Sequence, residues 1–495
     1  MTPENNPSTR SADVAAMAEQ WKKVDVILDG IDAVRRNKGT FLPKMDAETD
    51  GRYNNRVAWA KMTNLYGDIV EDLASRPFAD KLVLKDEPAP PPDFEELVED
   101  IDGQGNNLHV FGGESFYCAV AYGLDIIVID YTSNIPPAAT VADEKRLGAR
   151  PYWCRYPARN LISYQTAMIN GREEPVHVRL LEYKTQKAGF KEDTKTRIRI
   201  FDREEIEGKY GRPTVEVWEK VSDNGAEEWR VETPKTPMTI DEIPVVIYGL
   251  GRKVGSGWKN RPPMQQALEL QCKLIEQETD LEFAKKMTAY PMIAGNGVEA
   301  PIGDDGKVQP IVTGPGVVLF TGRNSEGSQG KFETLEITAA SLKFLADEIA
   351  VTKKDLRELG RQPLTLDSGT ITRITSAVAA EKGNSAIQNW ALLAADAFDR
   401  AMAITAKYLR SSTAPVVNLD PNFDLSIRED DGFDHVLSLR KSGEISRDAT
   451  IHEAKRRSIL DRDYDADADA EKLLDDLETD DLSDDEDDEE PDDIE

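Results

Sequence analysis

Residues Pro262–Ala289 read PPMQQALELQCKLIEQETDLEFAKKMTA, and residues Ser341–Leu359 read SLKFLADEIAVTKKDLREL. Both stretches place apolar residues three, four or seven positions apart, with charged residues between them. This spacing keeps the apolar side chains on one face of an α-helix. At about 1.5 Å per residue, the two helices would be roughly 42 and 28 Å long. The apolar positions are Ala267, Leu270, Leu274, Leu281 and Ala284 in the first stretch, and Leu342, Leu345, Ile349, Leu356 and Leu359 in the second.

The segments around this helix pair have a distinctive order. A Gly- and Pro-rich insert, Tyr290–Thr338, separates the two helices and carries apolar runs at Val308–Val312 and Val317–Phe320. A polar loop, Gly360–Thr375, follows the second helix. Ser376–Leu409 then predicts one long helix, with kinks expected at Gly383 and Asn384. Few architectures use this order, and its shape points away from a catalytic pocket.

The rest of the chain mixes helical and β patterns, which predicts the α+β class. Between residues 150 and 250 four β-rich segments alternate with turns, and Asn224-Gly225 is a strong hairpin signal, so this region is predicted to be an antiparallel meander. The four segments are Val176–Tyr183, Thr196–Phe201, Thr214–Val221 and Glu228–Glu232; further strands are predicted at Ile126–Tyr131 and Asn418–Ile427. Helices are predicted at Asp13–Val34, Asn54–Leu73, Phe94–Ile101, Gly113–Tyr122, Phe433–Lys441 and Arg447–Leu460, the last with Ser446 as its N-cap.

Composition excludes several classes of protein. The 495 residues have a net charge of -31, and no apolar run approaches the ~20 residues of a membrane span. Three cysteines far apart in the sequence, Cys118, Cys154 and Cys272, do not make a disulfide framework and fit a reducing cytoplasm. Residues 461–495 hold 21 acidic and 2 basic residues, so this part carries -19 and the first 460 residues carry -12. Such a tail is expected to be disordered, and the acidic balance does not suggest a protein that binds phosphates tightly.

The sequence offers no catalytic or metal-binding motif. Gly249–Ser256 departs from the phosphate-binding loop pattern because Val254-Gly255 stands where the pattern has Gly-Lys before the final Ser or Thr. The four histidines and three cysteines have no ligand spacing, and the alternating aspartates of 461–469 lack the glycine and glutamate of a calcium loop. We therefore expect no enzyme, no cofactor and no metal site.

Several stretches together resemble the portal proteins of tailed bacteriophages and prophages. They are Asn55–Pro77, Gly123–Asp130 (GLDIIVID), Pro151–Pro157 (PYWCRYP) with Leu161–Ser163, Ile243–Val246 (IPVV), and Gly443–Ser446 (GEIS) with Thr450 and Arg456-Arg457. The PYWCRYP stretch is similar to one uncharacterised portal-like group. The long acidic tail after Glu471 departs from the pattern.

The resemblance implies a division of the chain into portal regions. Residues 1–255 would form an N-terminal arm and a wing that contains the meander. Residues 256–289 and 339–360 would be the two stem helices, and 290–338 the clip between them. Residues 361–374 would be the tunnel loop, 375–412 the long wing and tunnel helix, 413–470 a short helical crown, and 471–495 a disordered acidic tail.

The resemblance also implies a function and partners. It implies a ring of twelve subunits at one capsid vertex, in the virion and, during assembly, in the host cytoplasm. Double-stranded DNA would pass through the ring without sequence specificity, packaged by the terminase large subunit and later ejected. Head-tail adaptor or connector proteins, the major capsid protein and scaffolding proteins would be the other partners, and no membrane is implied. Basic residues near the channel would be Lys285, Lys286, Lys353, Lys354, Arg361 and Arg373, and the tunnel loop would present Thr365, Leu366, Asp367, Ser368 and Gly369.

Two alternatives and a simpler interpretation stay open. The chain could be another virion structural protein, such as a head-tail adaptor or a minor capsid protein, or a packaging-associated nuclease with an acidic metal site. Each basic residue could equally lie on a solvated helix face or form a salt bridge between subunits. An acidic channel wall with few cations suits a ring that passes DNA without holding it.

Overall fold

A computed structural model describes most of the chain. The described residues are 6–86, 88–132, 143, 146–223, 226–255, 259–289, 292–296, 330–335, 339–360, 373–419, 431–456, 459–460, 464–466, 468–470 and 472. The chain divides into two compact units, residues 1–424 and residues 425–495. The predicted apolar runs 308–312 and 317–320, the polar segment 361–372, most of the predicted strand 418–427, and the acidic residues from 473 onwards lie outside the described residues.

Helices make up much of both units. In the first unit they are α1 (Ala12–Leu28), α2 (Ile31–Arg36), α3 (Lys38–Phe41), α4 (Asp50–Ala58), α5 (Leu65–Ser75), α6 (Pro92–Glu99), α7 (Leu108–Tyr122), α8 (Gln265–Ala289), α9 (Ala339–Leu359) and α10 (Arg373–Leu409), with 3₁₀ turns at Arg76–Phe78 and Ala158–Asn160. The second unit holds α11 (Asp431–Lys441) and α12 (Arg447–Arg456), and α12 is capped by Ser446, whose Oγ accepts a hydrogen bond from Ala449 N at 3.1 Å. The predicted N-cap is therefore confirmed.

The strands form antiparallel sheets, as the α+β prediction requires. The strands are β1 (Val83–Leu84), β2 (Leu124–Tyr131), β3 (Pro151–Tyr156), β4 (Leu161–Ile169), β5 (Arg172–Ala188), β6 (Lys191–Asp202), β7 (Glu205–Ile206), β8 (Lys209–Tyr210), β9 (Thr214–Asp223), β10 (Ala226–Pro237), β11 (Val245–Gly249), β12 (Arg252–Lys253), β13 (Asn260–Arg261), β14 (Met292–Asn296), β15 (Lys331–Leu335) and β16 (Val417–Asn418). The largest sheet has the order β10-β9-β6-β5-β4, and each neighbouring pair is antiparallel. The predicted meander is confirmed, with longer strands than the sequence pattern indicated.

A three-stranded sheet in the first unit is covered by two helices. Its order is β11-β2-β3, and both α7 and α10 pack against it. The first six residues of β2, Leu124–Ile129, are all buried, which explains why this strand is nearly continuously apolar. Trp153 on β3 is fully buried beside Phe398 of α10, and its indole Nε1 donates to Thr405 Oγ1 at 2.9 Å. This hydrogen bond satisfies the one polar atom of a large core side chain.

Two of the predicted helices are each broken in two. The helix predicted at 13–34 ends at Leu28, and Gly30 adopts a φ of 87° before α2 begins. The helix predicted at 54–73 is interrupted between Ala58 and Leu65. Helical periodicity continues across both breaks, so apolar spacing alone does not reveal them.

Candidate functional site around the long helix pair

The helix pair, α8 and α9, is the predicted functional element of the chain. Helix α8 has 25 residues and contacts α3, α4, α5 and α9, and α9 has 21 residues and also contacts α5. Most of the predicted apolar positions are buried or partly buried, but Leu359 is 37% exposed. At that end of α9 the close contact is made by Gly360, where an added Cβ would come within 2.6 Å of the Ile69 side chain. The lack of a side chain at Gly360 lets the helix end pack directly on α5.

A polar stripe on α8 binds the segment that interrupts the predicted helix between α4 and α5. Gln271 Nε2 donates to Thr63 O at 2.9 Å, and Gln271 Oε1 accepts from Tyr66 N at 3.0 Å. Thr279 Oγ1 accepts from Lys61 N at 3.3 Å. These side chains are fully buried, and they satisfy backbone groups that have left the helical hydrogen-bonding pattern. The break in the helix is therefore stabilised by a helix more than 200 residues later in the sequence.

Glu278 is the charged member of this stripe. Its carboxylate accepts hydrogen bonds from Thr63 N and Thr63 Oγ1, both at 2.7 Å, and forms an ion pair with Lys353 Nζ of α9 at 2.7 Å. The Glu278 side chain is 5% exposed. Burial raises the pKa of this carboxyl, but the hydrogen bonds from Lys353 and Thr63 and the Lys353 charge outweigh burial and lower the pKa overall. The ion pair thus joins α8, α9 and the segment before α5 at one point.

A second charged cluster fixes the other side of α8. Arg56 on α4 donates to Glu48, and both side chains are buried. The hydrogen bond from Arg56 lowers the pKa of the Glu48 carboxyl against the opposing effect of burial. Arg56 also lies 3.6 Å from Asp280 of α8. The N-terminal helices therefore hold α8 through charges as well as through apolar packing.

The predicted channel cations have different surroundings. Lys353 is neutralised by Glu278, and Lys286 Nζ lies 4.4 Å from the centre of the Trp59 ring and 3.9 Å from Glu282. Lys354 is 68% exposed, with Glu358 3.8 Å away. Lys285 is exposed and forms no ion pair with any described residue.

The other predicted site residues are only partly described. Arg373 is the first residue of α10, and its side chain lies outside the described part of the structure. Arg361 and the five predicted tunnel-loop residues, Thr365, Leu366, Asp367, Ser368 and Gly369, also lie outside it. The structure therefore brings Lys285, Lys286, Lys353 and Lys354 onto the helix pair, and their contact with DNA stays a prediction.

The insert between the two helices begins and ends on paired strands. Strand β14 pairs antiparallel with β15 in a register that joins Met292 to Leu335 and Asn296 to Lys331. The chain therefore leaves α8 and returns to α9 through one two-stranded base. Residues 297–329 lie outside the described structure.

Sequence reasoning missed the polar residues that hold the helix pair in place. Glu278 and Thr279 lie seven and eight positions after Gln271, so the three residues share one side of α8. That periodicity is visible in the sequence, but polar residues on an amphipathic helix are expected to face solvent. Only the tertiary structure shows that the backbone of residues 61–66 lies against this stripe and forms hydrogen bonds with it.

The described residues contain neither a membrane-spanning helix nor a metal-binding cluster. None of the helices in the described ranges has the length and hydrophobicity needed to cross a bilayer. Among the same residues, no group of three or more His, Cys, Asp or Glu side chains is arranged to hold a metal ion.

Comparisons with known proteins give distant similarity. Residues 264–409, which include α8, α9 and α10, match a family described as a domain of unknown function (DUF4055). No curated protein matches the chain. A chain in the neck of a native GTA particle computed with C12 symmetry is 12% identical, with 77% of this chain and 87% of that chain covered and a TM-score of 0.35. A chain in the neck of an empty GTA particle computed with C6 symmetry is 13% identical over 77% and 86%, with a TM-score of 0.39.

Proposed function

We propose that this chain is a structural protein of a phage-like virion, and more specifically the portal subunit whose ring forms the DNA channel at one capsid vertex. The observation that carries the proposal is the order of α8, the insert on its two-stranded base, α9, and the 37-residue helix α10. This order agrees with the two stem helices, the clip and the long tunnel helix of the portal proteins that the sequence resembles. The proposed function includes no catalytic step and no cofactor.

The anchoring of the helix pair supports its proposed role as the stem of the ring. Its inner side is held to residues 61–66, between α4 and α5, by buried hydrogen bonds, and the Glu278–Lys353 ion pair joins the two helices to each other. Its outer side carries charged residues together with exposed Phe344 and Val351, which are 64% and 53% exposed. Identical subunits arranged around an axis contact each other through two different surfaces. An outer surface that combines charges with exposed apolar side chains is suited to such contacts.

The charges suggest which cations would meet DNA. Lys353 is neutralised inside the subunit, and Lys286 is held against Trp59, so we assign both a structural role. Exposed Lys285 and Lys354 are the better candidates for contacts with phosphate on these helices. A few scattered cations on an acidic wall would guide duplex DNA without binding it tightly. The terminase large subunit and the head-tail connector proteins would bind at the clip, residues 290–338.

Ring formation is the first test of the proposal. The purified full-length chain is measured by mass photometry across a range of concentrations and salt, and its particles are classified by rotational symmetry in electron micrographs. We expect closed rings, with twelve subunits as the main species. Monomers and dimers under all conditions would refute the proposal. A closed ring with no open channel along its axis would favour the alternative, a head-tail adaptor or minor capsid protein.

The tunnel loop provides the test of DNA transport. We expect that removing Thr365–Gly369 leaves ring assembly intact but impairs DNA packaging or retention, because the resemblance to portal proteins places this loop against the DNA and function often lies in loops on a rigid frame. A matched control removes five residues from the acidic tail, Asp484–Asp488, and should change neither property. Filled, infectious particles from the loop deletion would show that this loop has no role in transport.

A further inference from the structure

The β5–β6 hairpin extends beyond the sheet to which it belongs. Strand β4 pairs with β5 only up to Leu180, and β9 pairs with β6 only from Arg197 onwards. Residues 183–196 therefore pair only with each other, from Tyr183 opposite Thr196 to Ala188 opposite Lys191. We call this two-stranded segment the ribbon. At about 3.4 Å per residue, it projects roughly 17 Å beyond the sheet.

The tip of the ribbon carries an aromatic side chain in solvent. Phe190 lies in the turn after Gly189 and is fully exposed, with a relative accessibility of 110%. Lys191 follows Phe190, and Lys187 lies three residues before it, opposite Glu192 in the hairpin register; both lysines are exposed, and neither forms an ion pair with a described residue. Lysines nearer the sheet do have partners, since Lys195 pairs with Glu219 at 2.7 Å. A phenylalanine buries about 150–250 Å² when it is covered, so a contact of this tip with another molecule would remove a large apolar surface from water.

A separate cavity in the first unit has a size and a lining that suit the Phe190 side chain and the lysines beside it. It lies between β1, α6 and the start of α7, and its volume is about 200 Å³. Pockets for drug-sized ligands typically have ~300–1,000 Å³, so this cavity, which we call the side pocket, suits a single side chain better. Its wall is mainly apolar and its rim is charged. Apolar lining comes from Leu82, Leu84, Pro90, Val98 and Leu108, and charged lining from Lys81, Glu95 and Glu99.

The rim of the side pocket is predominantly acidic. Helix α6 reads PDFEELVE and has no basic residue. Glu95, Glu96 and Glu99 are exposed, and none of them forms an ion pair with a described residue. Glu99 also lies in the last turn of the helix, where a negative charge is unfavourable for the helix dipole. These carboxylates therefore contribute little to the stability of the subunit, and they are accessible to a basic partner.

We propose that the ribbon tip of one subunit docks into the side pocket of a neighbouring copy, with Phe190 in the cavity and Lys187 and Lys191 against the glutamates of α6. Docking within one chain is excluded because Phe190 is fully exposed in the folded subunit. The inference rests on the proposed ring, since the ribbon tip and the side pocket are formed by different elements of the same chain. Such a contact is heterologous, and it continues from subunit to subunit until the ring closes.

The proposal is tested with charge reversals on exposed residues, which should leave the fold intact. Lys187→Glu with Lys191→Glu, and Glu95→Lys with Glu99→Lys, should each weaken assembly of the full-length chain. The four substitutions together should restore it, because the attraction is re-formed with reversed sign. Phe190→Asp should raise the concentration needed for half-assembly by about tenfold or more. Ile206→Asp is the matched control, since Ile206 is 61% exposed on the same wing but outside the ribbon, and it should change this concentration little.

Chemical cross-linking gives a direct readout of the contact. A Phe190→Cys, Glu95→Cys variant treated with a short bismaleimide should yield a ladder of covalent multimers, and each single-cysteine variant should not. The single variants also control for the three native cysteines, Cys118, Cys154 and Cys272.

The outcomes separate this inference from the proposed function. If rings of normal mass form with Phe190→Asp and the double-cysteine variant gives no ladder, the docking inference is wrong and the ring stands. A third result is that Phe190→Asp abolishes association and the double-cysteine variant gives the ladder, but micrographs of the wild-type chain show open filaments. In that case docking is correct and the portal proposal is wrong. A wild-type chain that remains monomeric refutes both. If the reversals at Glu95 and Glu99 weaken assembly and the quadruple variant fails to restore it, the pocket has a different occupant and the inference is wrong.

Discussion

At the scale of single residues, the most unusual side chain in the core is Asp125. It lies on β2 and is 0% exposed. Its Oδ2 accepts a hydrogen bond from Ser115 Oγ at 2.6 Å, and Ser115 Oγ lies 2.8 Å from the Tyr248 hydroxyl. Its Oδ1 has no hydrogen-bond partner among the described residues. Burial raises the pKa of this carboxyl to about 7, and the charge of Arg155 and the Ser115 hydrogen bond only partly oppose that effect.

This raised pKa predicts a dependence of stability on pH. The folded state holds the Asp125 proton more tightly than the unfolded state, so its favourable contribution is complete below about pH 4 and is lost as pH rises through about 7. In Asp125→Asn the amide has nearly the same shape as the protonated carboxyl, and it does not ionise in this pH range. The variant should gain stability relative to the wild type as pH rises from 5 to 8, by up to a few kcal/mol. Thermal unfolding of both proteins across this pH range measures the difference.

The control for this prediction is the exposed neighbour Glu114. Glu114, Cys118 and Arg155 face the same region as Asp125, together with Ser115 and Tyr248. The Glu114 side chain is 65% exposed, so Glu114→Gln should shift the pH profile little. Melting curves of Asp125→Asn that run parallel to the wild type at every pH would show that Asp125 does not titrate in this range.

At the scale of elements, the junction of α8, α9 and the segment before α5 depends on one ion pair. Lys353→Met removes the cation that faces Glu278 and leaves a nearly buried carboxylate with only its Thr63 hydrogen bonds. Since Lys353 is 31% exposed, solvent would compensate in part, and the expected loss is about 1–3 kcal/mol of unfolding free energy. Chemical denaturation or a lower melting temperature would reveal it.

The adjacent lysine on the same helix provides a matched control. Lys354 is 68% exposed and pairs with Glu358 one turn later at 3.8 Å, an arrangement that contributes about 0.3–0.5 kcal/mol. Lys354→Met should therefore leave stability nearly unchanged. If the two variants unfold alike, the Glu278–Lys353 pair does not anchor the helices. In a DNA-transport assay with folded, assembled subunits, Lys354→Met should have a larger effect than Lys353→Met, the reverse of their order in the stability measurement.

At the scale of the whole molecule, charge is unevenly distributed along the chain. Most of the net charge of -31 lies after residue 460. The last 16 residues, Asp480–Glu495, contain only two apolar side chains, Leu482 and Ile494. So few apolar groups cannot contribute a core. Deleting Asp480–Glu495 should therefore leave ring assembly intact and change the melting temperature little, as measured by mass photometry and thermal unfolding. Failure to assemble, or a loss of several degrees, would mean that the tail is structural.

The sequence by itself determined the elements whose signal is local. Periodic apolar residues predicted α8, α9 and α10, alternation predicted the meander, and Ser446 predicted a cap. These features depend on residues a few positions apart, so they can be inferred from the sequence alone. The resemblance to portal proteins also came from local stretches, and it supplied the function that we propose.

The tertiary structure decided what depends on residues far apart. The helix predicted over residues 54–73 is interrupted because Gln271, Glu278 and Thr279 satisfy the backbone between Lys61 and Tyr66. Lys353 is an internal counter-ion and Lys354 is exposed, although the two are adjacent and look alike in the sequence. Likewise, strand pairing leaves the ribbon without neighbours and Phe190 in solvent. In each case the deciding partner lies outside the local stretch, because hydrogen bonds, desolvation and charge act through space rather than along the chain.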